Sequence, residues 1–344
     1  MKGAAVAEKL TNGRLAGEHY AVSEIADGCF AAIAGASGRA GANSAIVDLG
    51  DRTLLVDSGL TLAAGRELCA AAHYLTGKPV TLALNTHHHS DHCWGNGALP
   101  PGAELYATAG TRQLLRTAVA SEAAWYQANA PSFLAQLAEW EARLPPAHSA
   151  ERAQMAAERA FWECAAAEAA HPPSLRLPTA TFERRMTIYG SQRQVDLVTN
   201  GGGHSRSDGV LWVADAALLV TGDLVTAASH PWLGDGFTLE WLRILATLQT
   251  LHPALVIPGH GPNGDGSLLA ATEHYLRAIL KLAEGAPLGV DAEDLEEEQT
   301  EWSVAEETER WIRDVSPDSE YDGWAFESFF ALNLRHEVDR LQGS

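Results

Sequence analysis

TLALNTHHHSDHCWGN, residues 81–96, puts four histidines and an aspartate into the six positions from His87 to His92, directly after an apolar run ending at Leu84. In an extended or turning segment, residues two apart point the same way. His87 and His89 therefore offer imidazoles to one point while His88 faces elsewhere. Asp91 and His92 follow a tight turn at the expected start of a helix and face a second point close by. The stretch reads H-x-H-x-D-H. A single buried histidine is easily satisfied by a backbone carbonyl, but several imidazoles desolvated side by side need a positive centre such as a metal ion to organise them.

More ligands are needed, and three further stretches supply them in the same local context. His204 in VDLVTNGGGHSRSD follows the apolar run 195–198, Asp223 in ALLVTGDLV follows 218–221, and His260 in ALVIPGHGP follows 255–258. Each candidate sits just past a strand signal, so all of them converge on one edge of a layered sheet, where such folds place their sites.

The surrounding pattern fits that picture. Strand signals recur at 29–33, 44–49, 53–56 and 80–84, and 60–76 reads as a helix between the third and fourth, which favours layered helices and sheets over an all-antiparallel sandwich. From 111 to 171 alanine is abundant and Phe133, Leu137, Trp140 and Leu144 recur at helical spacing, predicting a helical insertion broken at Pro131 and at Pro145-Pro146. A second strand-rich block runs from 179 to 258, with a helix over 239–250. Helices are expected at 268–282, ending at Gly285, and at 325–341; the acidic run at 291–301 reads as a solvated face or linker.

Composition narrows the function classes. The 344 residues carry 46% apolar side chains, enough for a substantial core, and a net charge of −20. That charge repels nucleic acid and anionic membrane, so neither is an expected partner. Four scattered cysteines with no CxxC pair argue against a disulfide scaffold or a thiolate zinc module and suit a reducing cytoplasm. No stretch of the sequence reaches the apolar length of a membrane span.

The set THHHSDH, GGGHSRSD, TGDLV and PGHGP, in this order, resembles the metallo-β-lactamase fold superfamily of binuclear metallohydrolases, in its glyoxalase II and lactonase-like general hydrolase branch. The resemblance covers roughly 28–110 and 179–264. It implies an α+β fold, a four-layer αβ/βα sandwich, with a catalytic domain over 20–265 that includes the insertion 111–171, and a helical C-terminal extension over 266–344 packed on it. It further implies that His87, His89 and His204 hold one metal, that Asp91, His92 and His260 hold the other, and that Asp223 bridges them. The same resemblance implies that Asp57 in LLVDSG supports the site by hydrogen bonding without ligating, and that Asn43 stands where many relatives place a polar residue on the hairpin that approaches it.

An all nitrogen and oxygen ligand set suits two Zn2+ ions, with iron or manganese as alternatives. The implied reaction is hydrolysis of a small ester, lactone, thioester or amide, β-lactams included, by a hydroxide bridging the two metals, with Asp91 orienting it and carrying its proton onward. A metal-dependent phosphodiesterase or nuclease and an iron-dependent sulfur dioxygenase-like redox enzyme are the alternatives. Asp57 and Asp208 are candidates for fixing imidazole tautomers. His88 reads as a spacer, Cys93 as a small buried residue and Trp94 as packing beneath the loop. Asn43, His230 and Trp232 are candidate pocket residues for a small-molecule substrate. The insertion, with Trp125, Tyr126, Phe133 and Trp140 as an apolar wall, reads as a lid, or as a helical pair that completes the core or forms a homodimer contact.

Overall fold

The computed structural model describes residues 14–35, 37–145, 148–286, 308, 310–312, 315, 321 and 323–343; the acidic run at 291–301 lies outside them. Runs of small and β-branched residues separated by glycine turns give two sheets. The first contains β1 (Arg14–Ala16), β2 (Tyr20–Ala26), β3 (Cys29–Ala34), β4 (Ser44–Asp48), β5 (Thr53–Val56), β6 (Val80–Leu84), β7 (Glu104–Thr108) and β8 (Ala180–Phe182), hydrogen-bonded in chain order. Its strands are antiparallel up to β5 and parallel from β5 to β8.

The second sheet runs β13 (Leu255–His260), β12 (Leu218–Thr226), β11 (Val210–Val213), β10 (Gln194–Val198), β9 (Arg185–Tyr189), and only β12 and β13 pair in parallel. Val47, Val56 and Leu84 of one sheet meet Leu197, Leu211 and Val220 of the other in a core between them. Such face-to-face packing of aliphatic side chains is the main source of stability in a layered fold.

Helices cover both outer faces. Helix α1 (Leu62–Thr76) lays Ala64, Leu68 and Ala72 against the first sheet. Its ends are set by Thr61, whose hydroxyl accepts from the Ala64 N–H, and by Gly77, which stops the helix at φ 71°. Two short helices, α2 (Ser90–Cys93) and α3 (Ala109–Leu115), follow β6 and β7. On the second sheet, α6 (Thr238–Gln249) and α7 (Ser267–Glu284) bury Trp241, Leu245, Leu276 and Ile279. The chain thus forms the four-layer α+β sandwich that its sequence implies. No described helix is long and apolar enough to cross a membrane.

The insertion is a pair of packed helices, α4 (Ala118–Arg143) and α5 (Ser149–Ala170). The expected break at Pro131 does not occur, since α4 runs straight through it. A proline inside a helix costs about 3 kcal/mol, which is offset here by burial of Tyr126, Phe133 and Leu137 against Phe161, Trp162 and Ala165 of α5. The real break comes after Arg143, ahead of Pro145.

The final helix, α8 (Ser328–Gln342), is preceded by a short segment clipped to the rest of the molecule. Ala325 bridges Ser229 in parallel, its N–H donates to Ala228 and its carbonyl accepts from the His230 N–H. The Phe326 N–H donates to Glu158 of α5 at 3.0 Å, and Trp162 Nε1 donates to the same carboxyl at 3.3 Å. Phe326 itself sits at φ 56°, a conformation uncommon for a bulky residue, and is held there by these contacts. One buried carboxyl therefore ties the insertion to the C-terminal segment.

Burial pushes the Glu158 carboxyl up to about 6, with the charge of Glu327 adding to the rise and the Phe326 and Trp162 donors opposing it. The sign follows: with its folded pKa raised, the stability Glu158 contributes is complete below about pH 4.5 and is lost as pH rises through about 6. Comparing the protein with Glu158→Gln by urea unfolding, the difference in unfolding free energy should fall by about 2 kcal/mol between pH 4 and pH 7. A constant difference would contradict a buried, raised carboxyl.

Candidate metal centre

The clustered residues sit where strands end. His87 lies three residues past β6, and His89 forms the non-helical entry to α2, which carries Asp91 and His92. His204 lies on the loop between β10 and β11, Asp223 within β12 past a bend at Gly222 (φ 53°), and His260 at the end of β13. At Gly259 any Cβ would collide with Asp223 Oδ1, so only glycine lets β13 approach the carboxylate this closely.

Two groups of donors result. One ligand atom from each of His87, His89, His204 and Asp223 falls within 4.8 Å of the others, and the same holds for Asp91, His92 and His260. The rings of His87, His89 and His204 form a near-equilateral triangle, with centroids 4.7–4.8 Å apart and planes mutually at 85–87°. Asp223 stands between the groups: Oδ2 is 3.5 Å from His204 Nε2 and 3.2 Å from His260 Nε2, and Oδ1 is 3.0 Å from His92 Nε2.

The hydrogen-bond network fixes where the imidazole protons are. His204 Nδ1 donates to the Trp232 carbonyl at 3.1 Å. His92 Nδ1 donates to Asp57 at 2.8 Å. Thr86 Oγ1 donates its proton to Asp57 at 2.8 Å and so accepts from His87 Nδ1 at 3.0 Å. His89 Nε2 donates to Asp235 at 3.2 Å. The remaining nitrogens, His87 Nε2, His89 Nδ1 and His204 Nε2, converge, with His89 Nδ1 3.1 Å from the first and 3.0 Å from the last. Nitrogens placed this way repel unless a proton or a metal cation lies between them.

The spacing supports the same conclusion, because two nitrogens 2.0–2.1 Å from one tetrahedral zinc lie about 3.3–3.4 Å apart. His92 Nε2 and Asp223 Oδ1 are also buried without a hydrogen-bond partner. The residues present thus fit metal ions as ligands.

Electrostatics divide the cluster. Burial, reinforced by the neighbouring imidazoles His92 and His89, holds His87 well below the usual histidine range, and burial takes His204 down to about 3. Burial also opposes protonation of His260, but Asp223 and Asp91 outweigh it and bring that ring up to about 10. Burial likewise opposes protonation of His89, but its bond to Asp235 and the charges of Glu122 and Asp91 outweigh it and bring that ring up to about 9, so of the three rings only His87 and His204 are held neutral.

Behind the site, Asp57 has φ 59°, a strained backbone over-determined by the Thr86 N–H, the Thr86 hydroxyl and His92, all of which donate to its carboxylate. Asp208 does not fix an imidazole as the sequence suggested. Its carboxylate accepts from the Gly203 and Ser205 N–H groups and from the Ser205 hydroxyl, so it shapes the loop that presents His204.

Asn43 is also not a pocket residue. It is buried, accepts from the Ala34 N–H and donates to the carbonyls of Pro258 and Gly261, joining the first sheet to the strand end that carries His260. Both amide protons and the amide oxygen are engaged by backbone groups.

The site opens into a cavity of about 390 Å3. His230 and Trp232 line it, and so does His88, which has a wall position and is not merely a spacer. Trp125 and Tyr126 of α4 form wall, whereas Phe133 lies buried against Trp162 at 4.4 Å and neither it nor Trp140 borders the cavity. Cys93 is buried with its thiol donating to the carbonyls of His88 and His89, and Trp94 is buried against Tyr126.

Sequence reasoning missed four contributors. Asp235, which accepts from His89 Nε2 and Trp232 Nε1, had no signal beyond a turn-like Gly-Asp-Gly. Glu122, on an alanine-rich helix, accepts from the Ser90 N–H while its other oxygen is buried and unpartnered; burial pushes it up to about 7. Phe326 and Phe329 come from a stretch far along the chain.

A sequence model of the Metallo-beta-lactamase superfamily matches residues 37–102 and 136–260, more than half of the chain. The protein belongs to the metallo-beta-lactamase superfamily.

Two solved superfamily structures share its fold: a metallo-beta-lactamase from Erythrobacter litoralis (16% identity, TM-score 0.53, covering 77% of this chain and 99% of that one) and one from Hirschia baltica (19%, 0.51, 75% and 98%). A Bacillus cereus protein named Metallo-beta-lactamase type 2 is 28% identical over 116 residues. That alignment takes in 32% of this chain and 45% of the relative, less than half its length.

Replacing Asn43 by alanine strands the Pro258 and Gly261 carbonyls in the interior and should lower the unfolding free energy by about 2 kcal/mol or more. Chemical denaturation measures this, and an unchanged midpoint would show that the two sheets do not depend on that side chain.

Proposed function

We propose that the protein is a hydrolase dependent on two metal ions, Zn2+ by the character of its donors, cleaving a small ester, lactone, thioester or amide. In this reading His87, His89 and His204 hold one ion, Asp91, His92 and His260 hold the other, and Asp223 is shared. The observation that carries it is the convergence of His87 Nε2, His89 Nδ1 and His204 Nε2, with His89 Nδ1 3.0–3.1 Å from the other two and the Asp223 carboxylate between them and the second group. The four unpaired cysteines accord with a reducing, cytoplasmic setting.

When bound, such ions acidify a water toward neutrality and polarise the oxygen of the bond being cleaved. The chain's own residues do the rest. Asp57, through His92, and Thr86, through His87, keep each ring's Nε2 free to ligate. Asp91 borders the cavity beside His260, 3.3 Å from its Nε2, where a carboxylate can take a proton from an attacking water and pass it to the leaving group. The aromatic walls exclude bulk water and favour a small, largely apolar substrate.

Metal analysis of purified protein should find about two equivalents per chain, falling to about one in His87→Ala and in His260→Ala, with ester or lactone turnover lost on chelation and restored by zinc. Protein that stays metal-free in excess zinc, or a hydrolytic rate indifferent to chelator, would overturn the proposal. Asp57→Asn should weaken metal affinity by roughly 10- to 100-fold while all seven ligands remain, as read by competition with a chromogenic chelator.

A further inference from the structure

The walls of the cavity have a chemistry of their own. Trp125 and Trp232 meet at 5.4 Å, Trp232 and Phe329 at 5.1 Å, and Phe329 stacks on Phe326 at 5.2 Å and 16°. These rings come from α4, the loop after β12 and the segment entering α8, and together they frame a slot suited to a flat apolar group. The charged side chains bordering the cavity, imidazoles aside, are all carboxyl groups: Asp91, Glu122, Asp223 and Asp235. Among the described residues no lysine or arginine lines it; Arg206, whose charge reaches His88, stands outside.

A second observation comes from His230, which is buried and lines the cavity. Asn333 of α8 donates to the Pro231 carbonyl at 2.6 Å and to the Tyr275 oxygen at 3.1 Å. With its oxygen accepting from Asn333, Tyr275 directs its own proton to His230 Nδ1, 3.0 Å away. His230 must then carry its proton on Nε2, and that buried nitrogen has no partner among the described residues. Burial holds this ring down at about 4, so it is a neutral donor near pH 7. An unpaired buried N–H is costly unless something occupies it.

We propose that the cavity selects substrates in which the group beside the cleaved bond is an uncharged aryl ring bearing a neutral hydrogen-bond acceptor. The ring lies in the Trp125–Trp232–Phe329 slot and the acceptor on His230 Nε2–H, and a carboxylate in the acceptor's place is rejected. This rests on the hydrolase reading above and names its substrate class. The rejection has a direct cause, because a carboxylate on the wall would be desolvated with no lysine or arginine among the described residues to pair with and with Glu122 and Asp235 nearby. β-Lactams and glutathione thioesters, which carry carboxylates, fall in the disfavoured class.

The test uses two nearly isosteric esters, 4-acetoxybenzamide and 4-acetoxybenzoate, with zinc-loaded protein and each rate divided by that ester's own rate with hydroxide. The benzamide should be favoured in kcat/KM by roughly 100-fold or more. Ser121→Arg, which places a cation at the cavity rim, should narrow the gap at least about tenfold. A second arm needs no turnover: quenching of tryptophan fluorescence by the phenol products should show 4-hydroxybenzamide binding at least about tenfold tighter than 4-hydroxybenzoate, with the difference lost in His230→Phe and kept in His230→Gln.

Equal rates, or a preference for the benzoate, would overturn the selectivity while leaving the hydrolase intact. Hydrolysis of neither ester, together with the expected binding difference, would overturn the hydrolase reading and retain the pocket assignment. Equal binding of the two phenols would overturn the pocket assignment itself.

Discussion

Three imidazole nitrogens converge in the interior of this protein, with His89 Nδ1 about 3 Å from His87 Nε2 and from His204 Nε2. Nitrogens placed this way repel unless a proton or a metal ion lies between them, and desolvation sharpens the repulsion. The arrangement persists because each ring's other nitrogen is anchored elsewhere: His87 through Thr86, His89 to Asp235 and His204 to the Trp232 carbonyl. Folding of the rest of the chain thus supplies the free energy that holds a cation site open. The anchors are themselves held, Asp57 and Thr86 by the seam between β5 and β6, and the loop of His204 by Asp208.

The metal-facing half was legible in the sequence because it is written in local spacing. Alternation put His87 and His89 on one side, and strand-end motifs located His204, Asp223 and His260 without knowledge of their partners. The apolar runs read as strands coincide with β3 to β6, β10, β12 and β13, whereas β1, β2 and β7 lie outside any expected strand. Roles that depend on which backbone passes nearby were not legible. Asn43 and Asp208 look like site carboxamide and carboxylate in a linear reading, yet both are spent on loop and strand ends brought close only by packing. The continuation of α4 through Pro131 is a case of tertiary burial overriding a local preference.

The substrate-facing half was the less visible because it is assembled from distant pieces with ordinary compositions. Trp125 belongs to the insertion, Trp232 to a loop after β12, and Phe326 to a segment after α7, and no spacing rule connects them. Their common feature is a set of polar clips: Glu158 to Phe326, Ala325 to the 228–230 backbone, and Asn333 to Pro231 and Leu233. These clips set the height of the roof over the metal centre. Variation in the insertion and the C-terminal segment can therefore alter what enters without disturbing the seven proposed ligands.

The bond from Phe326 to Glu158 joins residues 168 positions apart, which bears on how the protein is made. A chain emerging from the ribosome completes the seven proposed ligands at His260, when Trp125 and Trp232 are already made and Phe326 and Phe329 are not. For that interval the chamber lacks one wall. Capture of an ion can thus precede closure, and α8 acts as the door to a chamber already furnished.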